Sequence, residues 1–496
     1  GVIELMLGLL ISGTLISIIT SMLLDISENV KAGLIPYRGK GHIIIMNHSS
    51  KLPYLLDELD HYYHHQDKIM DIVLLLPNVD DLERFKAGLN HYQHIDIFCI
   101  YGEPLNINTY TRVNIAQASG FIMLINPDEH EGNKKSTIFI NKHFNLQSTR
   151  LIIETNDSHI SNKIYQHILG EQNYLTVNHK QILSKVLNRS IVDYRYFSLY
   201  ADLFSFHHYT IYTASNPHHH ISFNALYAQL SEAILIGINR AGKTIINPEN
   251  NPQLQPSDTL IYIAHHRHAI DSIHPSPSAS PTPPIHLPTP SLVEDKSVCI
   301  IGSYNDFDVH SISDFLSQSI HQQNYTHKSE LFCLDFWQSI QDQGYDVIIL
   351  NLEDNLELEL ALYLRACFKG DTTFLASIIN IINDPIQAEL LIDPYLPNNF
   401  ILSEKVVAQY LALSLFHQDL QHIFNEFTSA HGNELYIINI QTQADLLQLD
   451  FTHFKQALLH NGMIYLGSYL VQGFVFNSPC YAQAEAIVVI FQGDTS

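Results

Sequence analysis

Acidic side chains recur near the points where predicted β-strands end, and together they could bind a metal ion. They are Asp71, Asp80, Asp81, Glu83, Glu154 and Asp157. In a parallel sheet, ligands bind at the edge formed by the carboxyl ends of the strands. Carboxylate oxygens suit calcium and magnesium. We therefore predict a metal site formed by Glu154, Asp157, Asp80 and Asp81, with calcium as the candidate ion. Solvated loop acids give the same pattern, and the sequence contains no EF-hand loop.

The first turn from strand to helix is a second candidate site, because dinucleotides bind at this turn in Rossmann folds. It reads Asn47-His48-Ser49-Ser50-Lys51-Leu52 and lacks the G-x-G-x-x-G glycines that let a pyrophosphate approach the backbone. The second strand ends at Pro77-Asn78, where an acidic residue would bind a ribose. Asn47, Ser49 and Asn78 are the candidate nucleotide-binding residues of a site that the sequence predicts to be lost. Turn formation and helix capping also explain Asn47 and Ser49.

Alternating strands and helices must position these residues. Apolar strands are predicted at 42–46, 72–76, 96–100, 121–125 and 151–154, and helices at 51–61, 82–89, 108–118 and around Asn141. Strands that are apolar throughout are buried on both faces, and helices between them make the sheet parallel. We therefore predict an α/β, doubly wound, Rossmann-like domain.

A second module of the same kind follows the first. Residues 233–264 predict a small β-rich lobe of short strands with Gly and Pro turns, and residues 274–292 are Pro- and Ser-rich, as in linkers. Strands are predicted again at 297–301, 331–334, 347–350 and 377–382, before a second lobe. Gly237 to Asn247 and Gly467 to Asn477 have the same spacing, which favours an internal duplication.

The first 25 residues predict a transmembrane helix. No charged residue lies between residues 5 and 24, and about twenty helical residues span a bilayer core. A signal peptide would need a basic start, which residues 1–7 lack, whereas a buried core helix is an open alternative. Lys31, Arg38 and Lys40 follow the apolar segment and favour a cytoplasmic exit.

The predicted organisation has seven parts. They are a transmembrane helix (1–25), a connector (26–40), a first Rossmann-like domain (41–170) with its C-terminal lobe (171–273), a linker (274–295), and a second Rossmann-like domain (296–430) with its lobe (431–496). A chain of 496 residues is long enough for a separate core in each domain.

Composition excludes some functions. The net charge is −24, with 26 Lys and Arg against 50 Asp and Glu, which argues against a nucleic-acid partner. The five Cys form no C-x-x-C pair and predict buried thiols rather than disulfides or a zinc site. The sequence contains no G-x-S-x-G motif and no paired His and carboxylate with a clear substrate cleft, so we predict that the chain is not an enzyme.

Three segments carry a resemblance to a known family. The apolar helix, the charged connector and HIIIMNHSSKLPYLLDEL resemble the exit from a pore-lining helix into the first regulatory domain of the Castor and Pollux ion channels. AILIGINRAGKTIINPENNPQLQPSDTLIYIA resembles the C-terminal lobe of domains regulating potassium conductance (RCK domains). ILSEKVVAQYLALSLFHQDLQHIFNEFTSAHGNELYI is similar to the second module of that family. The resemblance covers nearly the whole chain.

The resemblance implies the cytoplasmic gating ring of a ligand-regulated cation channel, for potassium or calcium. It implies a homotetramer whose eight modules form a ring beneath a membrane pore, with most of the chain cytoplasmic. It also implies that ion binding, of calcium in the family's plant members, moves the pore helices. Glu154 and Asp157 match the family in kind, whereas Asn47 and Ser49 depart from any glycine-rich nucleotide site.

Two alternatives remain. One is a regulatory subunit of a potassium uptake system that docks on a separate pore, which a glycine-rich first turn would favour. The other is an NAD-dependent oxidoreductase, which lacks its fingerprint here. A channel also needs a selectivity filter before the inner helix, and this sequence shows none. We therefore expect either a C-terminal portion of a longer protein or an accessory chain.

Overall fold

In the computed structural model the chain forms two compact units. The first comprises residues 1–52 and 66–178, and the second comprises 53–65 and 179–496. The structure describes residues 13–17, 19–21, 33, 35–77, 91–126, 132–156, 159–170, 173–217, 221–271, 287, 296–303, 312, 320–323, 327–352, 354–382, 390–391, 399–428, 432–441, 443–470 and 473–492.

The predicted N-terminal helix is described at residues 13–17 and 19–21, which are helical, and its other residues lie outside the described part. Within the part of the chain that the structure describes, no helix has both the length and the apolar character that a membrane span requires.

The first unit contains a six-stranded parallel sheet in the order β3-β2-β1-β4-β5-β6. Its strands are β1 (Ile43–Met46), β2 (Met70–Leu76), β3 (Ile95–Tyr101), β4 (Gly120–Met123), β5 (Arg150–Thr155) and β6 (Tyr174–Asn178). The central strands are buried on both faces, as their continuous apolar runs predict. Because β6 belongs to this sheet, the sheet extends beyond residue 170, where the predicted first domain ends.

The helices of this region are α1 (Leu52–His65), α2 (Ile107–Arg112), α3 (Gly132–His143) and α4 (His159–Leu169). All of α1 except Leu52 belongs to the second unit. The predicted helix 108–118 is wrong in its second half, because Asn114 has a left-handed backbone (φ 50°) and a 3₁₀ turn follows at Ile115–Gln117. Asn tolerates this conformation, which ends an α-helix. The predicted helix 82–89 lies outside the described residues.

The second unit contains a five-stranded parallel sheet in the order β12-β11-β13-β14-β15. Its strands are β11 (Val298–Gly302), β12 (Ile320–Gln323), β13 (Val347–Asn351), β14 (Ile378–Ile382) and β15 (Phe400–Leu402). The predicted strand 331–334 is wrong: Lys328–Phe332 form a 3₁₀ helix, and α9 (Leu334–Asp342) begins directly after it. Trp337 Nε1 donates a hydrogen bond to the Leu331 carbonyl, which holds this turn against the core. A short apolar run does not distinguish a strand from a helix.

The remaining helices of the second unit alternate with groups of its strands along the chain. They are α5 (His179–Val192), α6 (Arg195–Leu203), α7 (Phe223–Gln229), α8 (His268–Asp271), α10 (Asp354–Cys367), α11 (Thr372–Ala376), α12 (Ser403–Phe416), α13 (Leu420–Thr428), α14 (Ala444–Leu447) and α15 (Phe451–His460). The predicted linker 274–295 lies outside the described residues except for Leu287, whose N–H donates to Asn461 Oδ1.

Two antiparallel lobes have the same strand order. One is β7 (Thr210–Ser215), β10 (Thr259–Ala264), β8 (Ala233–Arg240) and β9 (Lys243–Ile246), in that spatial order. The other is β16 (Asn433–Ile438), β19 (Ala486–Gln492), β17 (Ile464–Leu470) and β18 (Gly473–Phe476). The matched order agrees with the duplication that the Gly and Asn spacing predicts.

The spaced residues occupy equivalent positions in the two lobes. Gly237 pairs with Ile246, and Gly467 pairs with Phe476. Asn247 and Asn477 both have a left-handed backbone, with φ of 44° and 45°. Each also crosses to the other lobe, because Asn247 Nδ2 donates to the Gly462 carbonyl and Asn477 Nδ2 donates to the Ser231 carbonyl. The repeated turn therefore provides reciprocal contacts between the lobes.

Helices α5 and α6 connect to the second half of the unit through buried polar contacts. Arg189 of α5 lies 3.1 Å from Glu434 of β16, and both side chains are buried. On α6, the Tyr196 hydroxyl donates to the Leu435 carbonyl, and the Tyr200 hydroxyl donates to the Phe427 carbonyl. These bonds join segments more than 200 residues apart in sequence.

Replacing Gly467 with alanine is expected to lower the free energy of unfolding by about 1–3 kcal/mol, the range for overpacked sites. A Cβ at Gly467 would lie 2.4 Å from the Val475 carbonyl oxygen, so the β17–β18 hairpin would have to shift. Gly370→Ala is the control, because a Cβ there meets nothing within 4 Å. Urea unfolding, followed by the fluorescence of the single tryptophan, Trp337, measures both. Equal losses in the two variants would contradict this explanation.

Candidate functional site

The turn after β1 ties three strands of the first sheet together. Asn47 is buried and has a left-handed backbone (φ 73°), which Asn adopts more readily than most residues. Its N–H donates to the Leu75 carbonyl at the end of β2, and its Nδ2 donates to the Leu124 carbonyl just after β4. Asn47 therefore bridges the point between β1 and β4 where the strand order reverses, which is the ligand crevice of this fold.

A buried ion pair lies at the same edge. The Lys51 ammonium is 3.3 Å from Glu154 Oε1, and the exposed fractions of the two residues are 6% and 0%. The other carboxylate oxygen, Oε2, accepts a 2.9 Å hydrogen bond from the Ile125 N–H. Lys51 is the last residue of the turn before α1, and Glu154 lies in β5. The pair therefore places a cation against the carboxylate that the sequence analysis assigns to metal binding.

Asn133, in the first turn of α3, completes this polar network. Its Nδ2 lies within hydrogen-bonding distance of the Met123, Leu124 and Glu154 carbonyl oxygens, at 3.1–3.2 Å. Its Oδ1 accepts a hydrogen bond from Asn47 Nδ2 at 3.3 Å. Sequence reasoning missed both Asn133 and Lys51. Asn133 lies in the first turn of the helix after β4, and Lys51 immediately precedes the helix after β1; these positions are the signal that could have identified them.

The structure brings together only some of the predicted site residues. Asn47 and Glu154 join the network above, and Ser49 is buried in the turn, where its carbonyl accepts the Leu52 N–H. Asn78, Asp80, Asp81, Glu83 and Asp157 lie outside the described residues. Within the described part, Glu154 does not belong to a group of three potential metal ligands. The metal and nucleotide assignments therefore stay predictions.

Asp71 lies at the opposite edge from the one expected. Strand β2 begins at Met70, so Asp71 is its second residue and lies at the amino end of the strand. There it accepts a 2.5 Å hydrogen bond from the Tyr37 hydroxyl. The expectation was wrong because Asp71 precedes the apolar run 72–76 and therefore lies where the strand begins, not where it ends. Asp71 therefore has a structural partner away from the ligand edge.

Two protein-family models match consecutive parts of the chain. Residues 38–150 match the calcium-activated potassium channel slowpoke-like RCK domain, and residues 180–280 match Castor and Pollux, part of voltage-gated ion channel. The two matches support an ion-channel regulatory family for this chain. No curated protein sequence matches it.

This chain is similar to two solved structures. The human SLO3 gating ring is 12% identical, and the alignment covers 92% of this chain and 100% of that one, with a TM-score of 0.61. The GsuK RCK domain is 14% identical, with 93% and 94% covered and a TM-score of 0.41. At these identities the SLO3 likeness shows the fold, two Rossmann-like modules with β-rich lobes.

The parallel sheet of the second unit also has polar contacts between two strands at its carboxyl edge. The Ser303 N–H donates to the Asn351 carbonyl, and Asn351 Nδ2 donates to the Ser303 carbonyl. Gly302 has φ 114°, and a Cβ there would lie 2.0 Å from the Asn351 carbonyl oxygen. This glycine therefore permits close approach of two strands of the same sheet, which is a structural reason for its presence.

Proposed function

We propose that this chain forms the cytoplasmic gating ring of a ligand-regulated cation channel, for potassium or calcium, and couples ligand binding to movement of a pore helix. The observation that carries the proposal is the pair of channel-family matches at 38–150 and 180–280, which follow one another in the order sheet, then lobe. The repetition of this order in the second half, with the same lobe topology, supports a chain that supplies two modules.

The proposed assembly is a homotetramer attached to the membrane. Four chains supply eight modules, residues 1–25 are the pore-lining helix, and residues 26–40 are the connector that transmits movement. A ligand shifts such a ring only if it binds one conformation more tightly than another. The acidic net charge of −24 suits a chain that attracts cations and no nucleic acid.

The proposed ligand is calcium, bound at the carboxyl edge of the first sheet through Glu154 with Asp157, Asp80 and Asp81. Glu154 is already paired with one cation, the Lys51 ammonium. A calcium ion that takes both carboxylate oxygens must displace Lys51 and the Ile125 N–H. The exchange of one cation for another gives this edge two alternative arrangements, and two arrangements are what coupling requires. The hydrogen bond from Asn47 to the Leu124 carbonyl spans the crevice in which a nucleotide would bind, and this favours an ion rather than a nucleotide as the ligand.

The test uses the whole chain in mild detergent, with its mass followed by light scattering and its binding by calorimetric titration of calcium, then NAD, then ATP. We expect a tetramer that binds calcium and neither nucleotide. Calcium at 100 times its dissociation constant should stabilise the chain by about 2.7 kcal/mol, with a rise in Tm. Glu154→Gln with Asp157→Asn should abolish this calcium-dependent rise.

The outcomes separate the assembly from the site. A calcium-dependent rise in Tm that persists in the double variant would remove Glu154 and Asp157 from the site but leave the ring intact. Tight nucleotide binding to a dimer would instead favour a regulatory subunit of a potassium uptake system that docks on a separate pore. A monomer that binds none of these ligands would overturn the gating-ring proposal.

A further inference from the structure

We propose that Asp57, His61 and His207 form a site for a transition-metal ion of the zinc class, separate from the proposed calcium edge. One ring nitrogen of each histidine and one carboxylate oxygen of Asp57 all lie within 4.8 Å of one another. All three residues belong to the second unit, whereas Glu154 belongs to the first. The inference goes beyond the proposed function and does not depend on it.

Two of the ligands come from one face of α1. Asp57 and His61 are four residues apart, so they lie on adjacent turns, and His61 Nδ1 is 3.6 Å from Asp57 Oδ1. The same nitrogen is 3.0 Å from the Asp57 backbone carbonyl oxygen. Metal-binding imidazoles commonly make such a second contact to a carbonyl, because it fixes the tautomer and the ring orientation.

Glu58 positions the third ligand. It is 1% exposed, and its two oxygens accept hydrogen bonds from the Ser205 hydroxyl at 2.8 Å and the Phe206 N–H at 2.7 Å. Gln409 Nε2 donates to the same carboxylate at 3.1 Å. These bonds hold the loop after α6 against α1. The next residue in that loop is His207, which is thereby brought onto the face that carries Asp57 and His61.

The imidazole of His207 completes the cluster. Its Nε2 lies 2.9 Å from Asp57 Oδ2 and 3.7 Å from Glu58 Oε1, and its ring stacks on that of His61 with centroids 3.6 Å apart. Two positively charged rings at this separation would repel each other, so the arrangement favours at least one neutral imidazole, which is the metal-binding form.

The pKa values of His207 and Asp57 are shifted in opposite directions by their contact with each other. Burial alone lowers it, but the hydrogen bond to Asp57 and the Glu58 and Asp57 charges more than offset burial, so the pKa of His207 lies above its usual value. Burial alone raises the pKa of Asp57, but the hydrogen bond from His207 and the positive charges of His207, His61 and Lys405 outweigh burial, so the pKa of Asp57 lies below its usual value.

The donor set selects the class of metal. Two imidazoles and one carboxylate suit zinc and its neighbours, whereas calcium prefers oxygen ligands alone. Three protein ligands leave a fourth position for water. The side chains of His61, Asp57 and His207 are 36%, 47% and 29% exposed, so an ion can reach the site from solvent.

The experiment titrates zinc into the whole chain after chelator treatment, in competition with a chromophoric chelator. We expect one tight site in the wild type. Zinc affinity should fall by about 100-fold or more in His61→Ala and in His207→Ala, because loss of a residue that only supports a metal ligand already lowers affinity by up to about 100-fold. Asp57→Asn, which keeps the shape and removes the charge, should also weaken binding. Cobalt, bound in place of zinc, should give visible absorption bands typical of tetrahedral coordination, and these should disappear in the same variants.

The control is His453→Ala. His453 lies in α15, where its Nδ1 is 2.5 Å from Asp450 Oδ2. It is not part of a three-ligand group among the described residues, so its removal should leave zinc affinity unchanged. Each variant is first checked for an unchanged Tm without metal, and Asp57→Asn stands in for any alanine variant that unfolds. A wild-type chain that binds no zinc, or His61 and His207 variants that bind it as tightly as the wild type, would overturn the proposal.

Discussion

Arg189→Met is expected to lower the free energy of unfolding of the second unit by about 3–5 kcal/mol, the cost of leaving one member of a buried ion pair without its partner. Arg189 is 0% exposed and Glu434 is 2% exposed, and the guanidinium is 3.1 Å from the carboxylate. Without the guanidinium, Glu434 must stay charged in a poorly solvated site or take up a proton. Both alternatives cost free energy because water does not reach the carboxylate.

Urea unfolding measures this effect in the second unit, because the single tryptophan, Trp337, is fully buried there. The double variant Arg189→Met with Glu434→Leu should recover most of the loss, since replacing both charges with apolar groups is often neutral. Arg195→Met is the control: its pair with Asp193 is 28% and 22% exposed, and we expect a loss of about 1 kcal/mol or less. A double variant as unstable as Arg189→Met would contradict the charge argument and point to lost packing.

Most strands of the two parallel sheets were predictable because each is marked by a short run of adjacent apolar residues. The runs at 43–46 and 347–350 are apolar at every position, which is typical of strands buried on both faces. The equal spacing of Gly237 with Asn247 and Gly467 with Asn477 also predicted an internal duplication, and in the structure each spacing spans a β-hairpin. At residues 331–334 the same reasoning failed, because an apolar run of four residues fits a helical turn equally well.

The polar networks were not predictable in the same way, because their partners are far apart in sequence. Asn47 meets the Leu124 carbonyl across 77 residues, and Phe206, beside His207, meets Glu58 across 148. A lone Asn in a turn predicts only a turn. What identifies it as a bridge is the strand order, which places the ends of β1 and β4 side by side. Sequence reasoning therefore named Asn47 and Glu154 but neither their contacts nor their partners Lys51 and Asn133.

Lys51→Met is expected to destabilise the first unit by about 3–5 kcal/mol, because Glu154 is 0% exposed and would lose its cation. Amide hydrogen exchange measures this effect, since it reports on β1, β4 and β5 directly, whereas Trp337 lies in the second unit. Lys51→Met with Glu154→Leu should restore most of the lost protection by replacing the pair with apolar groups.

The same variant tests whether the Lys51 ammonium and a calcium ion compete for Glu154. If calcium binds there, removal of Lys51 removes the competing cation and should raise the calcium affinity while lowering the stability of the calcium-free chain. The two effects have one cause, a buried carboxylate that needs a positive charge. Calorimetric titration of calcium into Lys51→Met and wild type compares the affinities, and Lys185→Met, which alters a lysine of the second unit paired with Asn425, is the control. An affinity that falls in Lys51→Met would mean that the lysine supports the calcium site rather than occupying it, and the proposed exchange would be wrong.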